Sequence, residues 1–166
     1  MTSQSALVTD TNIWIDMDNG GILAEVFKLP FHFWIPDLAI PELVRPNWQT
    51  LQAWGVIAQE LEPELIQELF VLRSTYGRLS VTDLAAYLIS REFNATLLTG
   101  DWRLSELASS AGVSVHGILW LLDELVHFNT LNTEQASNAL KLIISGGGRL
   151  PDDECRKRFR LWSSEN

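Results

Sequence analysis

The chain of 166 residues has one cysteine, Cys155, so no internal disulfide framework holds it together. No apolar run approaches the ~20 residues that span a bilayer. The opening "MTSQSALVTD" also lacks a basic segment followed by a long apolar stretch, so the expected location is the cytoplasm. Histidine is scarce as well: His32, His116 and His127 stand far apart with no cysteine cluster beside them, which argues against a zinc site or histidine-driven nucleophilic chemistry. Positive charge is the remaining shortage. Against 21 acidic residues there are 12 lysines and arginines, a formal net charge of -9, which weighs against an extended nucleic-acid surface. Residues 149–166 depart from this balance at +1, leaving -10 for the rest. A phosphate-contacting surface and an ordinary solvated helix face both suit such a tail.

What is present reads as alternating strands and helices. Residues 6–8 form a short apolar strand, and "TDTNIWIDMDNGG" changes structure at Asp10, with Gly20 and Gly21 separating two short helices. "PFHFWIP" is an aromatic strand bordered by proline. In "DLAIPELVRP", Pro41 suits a first helical turn and Pro46 a helix end, placing Glu42 early in that helix. "GVIAQEL" is ambiguous between strand and helix, whereas "EPELIQELFVLRSTYG" is helical. "LSVTDLAAYLISREFN" opens on a Ser80/Asp83 capping box, then "ATLLTG" is a strand, "WRLSELASSAG" a helix, "VSV" a strand and "GILWLLDELVHFN" a helix. Two more helices follow around "SGGGRLP"; its glycines lack the lysine and Ser/Thr of a phosphate-binding loop and read as a joint. The alternation favours a parallel sheet covered on both faces, and the length suits one domain over 1–166.

Four carboxylates carry the chemistry. Asp10 follows one strand and Asp101 another, and ligands of open parallel sheets gather beyond the carboxyl ends of strands. If those strands are neighbours, both acids face one crevice, with Glu42 and Asp83 able to reach it from its sides. Four acids together repel unless a hard cation neutralises them, and oxygen-only donors favour Mg2+ or Mn2+. Thr11, Asn12 and Thr99 add short polar groups beside the acids. Each acid also has a structural reading: Asp10 and Asp101 as helix caps, Asp83 as half of a capping box, Glu42 as a first-turn acid favoured by the helix dipole.

At these residues the sequence resembles the PIN-domain family, and in particular bacterial VapC-type ribonuclease toxins. The resemblance lies in "LVTDTNIWID", "IPELVR", "LSVTDLAAYLISREFNATLLTGDWRL" and "GVSVHGILWLLDEL", across most of residues 6–127, with 128–166 as a helical extension. It implies a three-layer α/β/α fold with a central parallel sheet. It further implies that Asp10, Glu42, Asp83 and Asp101 form a catalytic metal site for Mg2+ or Mn2+, supported by Asn12 and Thr99, acting on RNA as an endoribonuclease. A small antitoxin protein and a homodimer partner are implied as well. The alternative is a non-catalytic RNA-binding or regulatory module of the same fold.

The cations available to guide RNA are few. Arg103 and the C-terminal Arg149, Arg156, Lys157, Arg158 and Arg160 are the expected contacts, with Arg45, Arg73, Arg78 and Arg91 elsewhere. Most of the seven tryptophans are expected in the core or an interface. Trp102 beside Asp101 has two readings, packing (the favoured one) and stacking on an RNA base. Cys155 has no nucleophilic partners and reads as structural.

Overall fold

The computed structural model describes residues 5–164. Five parallel strands form its sheet: β1 (Ser5–Thr9), β2 (Phe31–Pro36), β3 (Ile57–Gln59), β4 (Thr96–Leu98) and β5 (Val115–His116), in the order β3-β2-β1-β4-β5. The ambiguous "GVIAQEL" is thus an edge strand. The chain builds outward from β1 to β3 on one side, then crosses back to lay β4 against the other side of β1. Strand order therefore reverses between β1 and β4.

Period-two alternation sorts the strand residues onto two faces. Leu7, Phe33, Ile35 and Leu98 join one buried cluster; Val8 and Leu97 join a second, with Trp34 packed against it. The first face is covered by α1 (Thr11–Asn19), α2 (Leu23–Val26), α7 (Ile118–His127), α8 (Thr133–Ser145) and α9 (Asp152–Ser164), whose buried residues include Trp14, Leu121, Leu140, Ile143, Cys155 and Trp162. The second face is covered by α4 (Pro63–Thr75), α5 (Val81–Glu92) and α6 (Trp102–Ser110). With a sheet between two helical layers, the architecture is α/β/α, as expected; α3 (Trp48–Ala53) precedes β3.

Helix α5 shows how the sequence makes the second layer. Ser80 and Asp83 form the reciprocal capping box, and every residue from Leu84 to Ser90 is buried. Within that run the Ser90 hydroxyl donates to the Ala86 carbonyl at 2.8 Å, so it costs little to bury. A two-pronged Arg91–Glu68 pair, 2.6 Å at each prong, ties α5 to α4.

One expected helix differs. "DLAIPE" is a 3-10 helix, Asp37–Glu42, with Pro41 inside it. Proline has no N–H to donate, and the tighter coil is already ending there. Glu42 is consequently the last residue of a helix, not an early one.

Candidate functional site

The reversal of strand order brings Asp10 and Asp101 to the same edge. Thr9 of β1 lies opposite Leu98 of β4, and the Asp10 N–H donates to the Leu98 carbonyl at 3.1 Å. Thr99, the next residue, is anchored on the other side by donating its N–H to the His116 carbonyl at 3.0 Å. Its hydroxyl donates to Asp10 Oδ2 at 2.5 Å and accepts from the Asp101 N–H at 3.1 Å. One buried hydroxyl therefore connects both strand ends.

Each acid also caps the helix that follows it. Asp10 Oδ1 accepts from the Ile13 N–H at 3.0 Å, and Asp101 Oδ1 accepts from Arg103 and Leu104 at 2.8 and 3.1 Å. Capping and crevice placement are thus compatible: the cap bonds fix one oxygen of each carboxylate. The other oxygen of Asp101 has no hydrogen-bond donor among the described residues.

Asp10 is 7% exposed, and its carboxyl is pushed up from 3.8 to about 6. Burial is the main cause and the negative charge of Asp83 adds to it; the Thr99 hydroxyl and the N–H groups of Ile13 and Asn12 pull the other way. Asp16 is also pushed up to about 6, by burial first and then by the charge of Asp10. The sequence reading did not single out Asp16. The signal was there, since Asp16 sits three residues after Ile13 and one before Met17, on the flank of the stripe that α1 buries. Part of its cover comes from the glycine joint. A Cβ on Gly148 would stand 2.8 Å from Ile143 Cγ2 and 3.4 Å from Asp16 Oδ1, so only glycine lets that loop lie so close.

Glu42 and Asp83 approach the end of β1 from other elements. The exposed Glu42 accepts from the hydroxyls of Thr11 and Thr82, each at 3.0 Å, and so bridges the starts of α1 and α5. Thr82 was not anticipated. Asp83 Oδ2 accepts from the Ser80 N–H at 3.0 Å, and the carboxylate remains within electrostatic reach of Asp10. The Asn12 side chain is exposed and forms no hydrogen bond with a described residue; its backbone N–H does the supporting. Among the described residues, no three Asp, Glu, His or Cys side chains come close enough to make a ready cation cage. The acids are linked by charge and by threonine bridges instead.

The expected basic contacts fall into two groups. On α9, Arg158 forks onto Asp123 at 2.7 and 3.1 Å and also meets Glu154; Lys157 pairs with Glu154 at 2.8 Å and Arg156 lies 3.6 Å from Asp153. Arg160 is exposed, and Arg149 lines a cavity with Gly100, next to Asp101. Arg103 places its guanidinium 5.0 Å from the ring centre of Trp102. Trp102 itself is 64% exposed and so lies outside this chain's core, while Trp14 and Trp162 are buried as expected. His116 stacks on Trp120 with 4.3 Å between centroids, and burial lowers its pKa. Cys155 is buried and its thiol is pushed up, by burial first.

A parallel sheet between two helical layers, with Asp10 and Asp101 following the strands where the order reverses, defines a doubly wound α/β class. Within that class the chain belongs to the PIN-domain family, whose model matches residues 6–164, running through α8 and α9. Among solved structures, the chain is similar to a PilT N-terminus domain protein from the hyperthermophilic archaeon Sulfolobus solfataricus P2. The identity is 17% and the TM-score 0.49, over 71% of this chain and 90% of the other. No curated protein matches the chain. No helix among the described residues is long and apolar enough to cross a membrane.

Proposed function

We propose that the chain is a divalent-cation-dependent endoribonuclease whose site is the crevice of Asp10, Glu42, Asp83 and Asp101. One observation carries this reading. Asp10 is buried where β1 meets β4, within reach of the charges of Asp83 and Asp16, and is bridged to Asp101 through Thr99. An environment that penalises a carboxylate's charge so strongly suits a hard cation, and the all-oxygen donor set suits Mg2+ or Mn2+. The PIN-domain family, generally associated with nucleases, supports the same choice.

In this reading Asp10, Asp83 and Asp101 would hold the cation, with Glu42 beside them. A cation bound there would supply Lewis-acid stabilisation to the scissile phosphate and would lower the pKa of attacking water. Thr99 fixes the Asp10 carboxylate and the turn that carries Asp101. Thr11 and Thr82 hold Glu42 at the mouth of the crevice. Asp10 must lose its proton to serve as a ligand, so cation affinity falls as the pH drops through about 6.

The resemblance to VapC-type toxins points further, to a small antitoxin protein and a second copy of this chain as partners, and to the cytoplasm as location. The deciding assay incubates the purified chain with diverse single-stranded and structured RNAs under Mg2+ or Mn2+ titration. Cleavage that chelator abolishes and Asp101→Asn severely reduces supports the nuclease. A chain that binds RNA equally with and without Asp101→Asn, and never cuts it, is the non-catalytic RNA-binding module.

A further inference from the structure

We infer that the cavity between helix α6 and the loop joining α4 to α5 is a nucleobase pocket for single-stranded RNA, beginning at the residue after Asp101. The inference rests on the ribonuclease reading for the identity of the polymer. The pocket itself is argued from position, shape and charge.

Position comes first. Helix α6 leaves β4 at the carboxyl edge of the sheet, and α5 runs back toward the start of β4, so the first turns of both helices lie at that edge. Along α6, facing the loop that leads into α5, is a cavity of about 540 Å3, within the usual range for small-ligand sites. Trp102 and Arg103 line it from α6, and Tyr76 and Arg78 from the loop before α5. Trp102 directly follows Asp101, and the Arg103 N–H is one of the donors that fix the Asp101 carboxylate. A base seated here puts its own backbone phosphates near the acids.

Chemistry comes second. Trp102 is 64% exposed and Tyr76 41% exposed, so two large rings present apolar surface at the cavity. Nothing local demands an indole at the first position of α6, where the cap is supplied by Asp101. The Arg103 guanidinium over the Trp102 ring makes a flat, cationic stack of the kind that takes unpaired bases. Neither Arg78 nor Arg103 has a carboxylate partner within ion-pair distance among the described residues. In a chain of net charge -9, two cations with Glu106 as the acid in the lining reverse the local sign. An exposed apolar patch built to hold a protein helix has no need of that reversal; a polyanion with aromatic bases does.

The test uses the full chain, calcium in place of magnesium to suppress cleavage, and fluorescently labelled single-stranded RNA oligonucleotides read by anisotropy. Trp102→Ala is expected to weaken binding by about 5- to 150-fold, the range for losing one stacked base, and Trp102→Phe to recover most of it. Moving a single abasic residue along the RNA should show one position where the missing base costs as much, and that cost should vanish in Trp102→Ala. Arg78→Glu should weaken binding independently of the abasic position. Equal affinity of wild type and Trp102→Ala, no sensitive abasic position in the wild type, or no RNA binding at all would each overturn the pocket. A proline-free peptide library binding in place of RNA would assign the cavity to a protein partner and overturn it too. Cleavage with Mn2+ is scored on the same RNAs. Trp102-dependent binding without scission removes the nuclease and keeps the pocket, whereas scission with Trp102-independent binding does the reverse.

Discussion

The ends of β1 and β4 are built on the same local plan, a short apolar strand, an aspartate and a helix capped by that aspartate, yet they carry different energetics. Asp10 is nearly sealed from solvent, surrounded by the charges of Asp83 and Asp16, and its carboxyl is pushed up to about 6. Asp101 is half-buried, and its bonds are the ordinary ones of a helix cap. A cap fixes where an oxygen points. It does not fix what charge that oxygen can bear, which is set by groups far away in sequence.

The largest expected effect tests whether both ends serve one site. Asp10→Asn and Asp101→Asn should each reduce RNA cleavage by about a thousandfold, since the charge stabilisation lost is worth several kcal/mol. Initial rates in Mn2+ measure it. If Asp101→Asn cuts RNA at the wild-type rate, Asp101 is a cap alone and the shared crevice is wrong.

Stability should separate the two residues that activity does not. An unfolded Asp10 titrates near 3.8 and the folded one near 6, so the folded state holds its proton longer. The stability that Asp10 contributes is therefore full below about pH 4, falls as the pH rises toward about 6, and is flat above it. The displacement is worth ~3 kcal/mol. Asp10→Asn, which keeps an acceptor for Ile13 and removes the charge, should stabilise the chain by about that amount at pH 7 and by almost nothing at pH 4. Asp101→Asn should change stability by a few tenths of a kcal/mol at either pH, because Asn caps as well as Asp. Urea melts at the two pH values give both numbers, and a neutral-pH loss of stability in Asp10→Asn would contradict the burial account.

Thr99 joins the two ends, and removing its hydroxyl should perturb both. Thr99→Val leaves Asp10 Oδ2 and the Asp101 N–H without their partner. Cation affinity, followed by calorimetry with Mn2+, should fall by about 10- to 100-fold, as for other residues that orient ligands. The hydroxyl lowers the Asp10 pKa, so its loss also moves the pH midpoint of cation binding upward. Weaker binding with an unmoved midpoint would mean Thr99 acts on Asp101 alone.

How much of this was readable from the sequence follows the range of the interactions. Strand alternation and the Ser80/Asp83 box are local, and they indicated the layers, the parallel sheet and a last strand at "VSV", which overlaps β5 at Val115 alone. Asp10 and Asp101 were legible as a pair because neighbouring strands in such a sheet present their carboxyl ends together. Long-range polar pairing was not. Arg158 looks like an RNA contact in "RKRFR" but meets Asp123, 35 residues away, and Glu42 is held by Thr82 across 40 residues. Asp16 escaped notice because its burial depends on a glycine loop contributed by a distant segment. The 3-10 coil at Pro41 was missed because a proline suits the first turn of an α-helix equally well.

The smallest effect is expected at Asn12, the β1-side counterpart of Thr99. Both were paired as supporting residues, but the structure gives them unlike roles. Thr99 acts through its hydroxyl, whereas Asn12 reaches Asp10 through a backbone N–H that any residue supplies. Asn12→Ala keeps that donor and gains helix propensity in the first turn of α1, so stability should rise by no more than about 0.5 kcal/mol. Cation affinity and the pH midpoint of binding should match the wild type. A loss as large as that of Thr99→Val would instead show that the Asn12 amide itself touches the cation or the RNA. The β1 end would then contribute a side chain to the crevice beyond its acid, and the contrast between the two strand ends would narrow to the burial of Asp10.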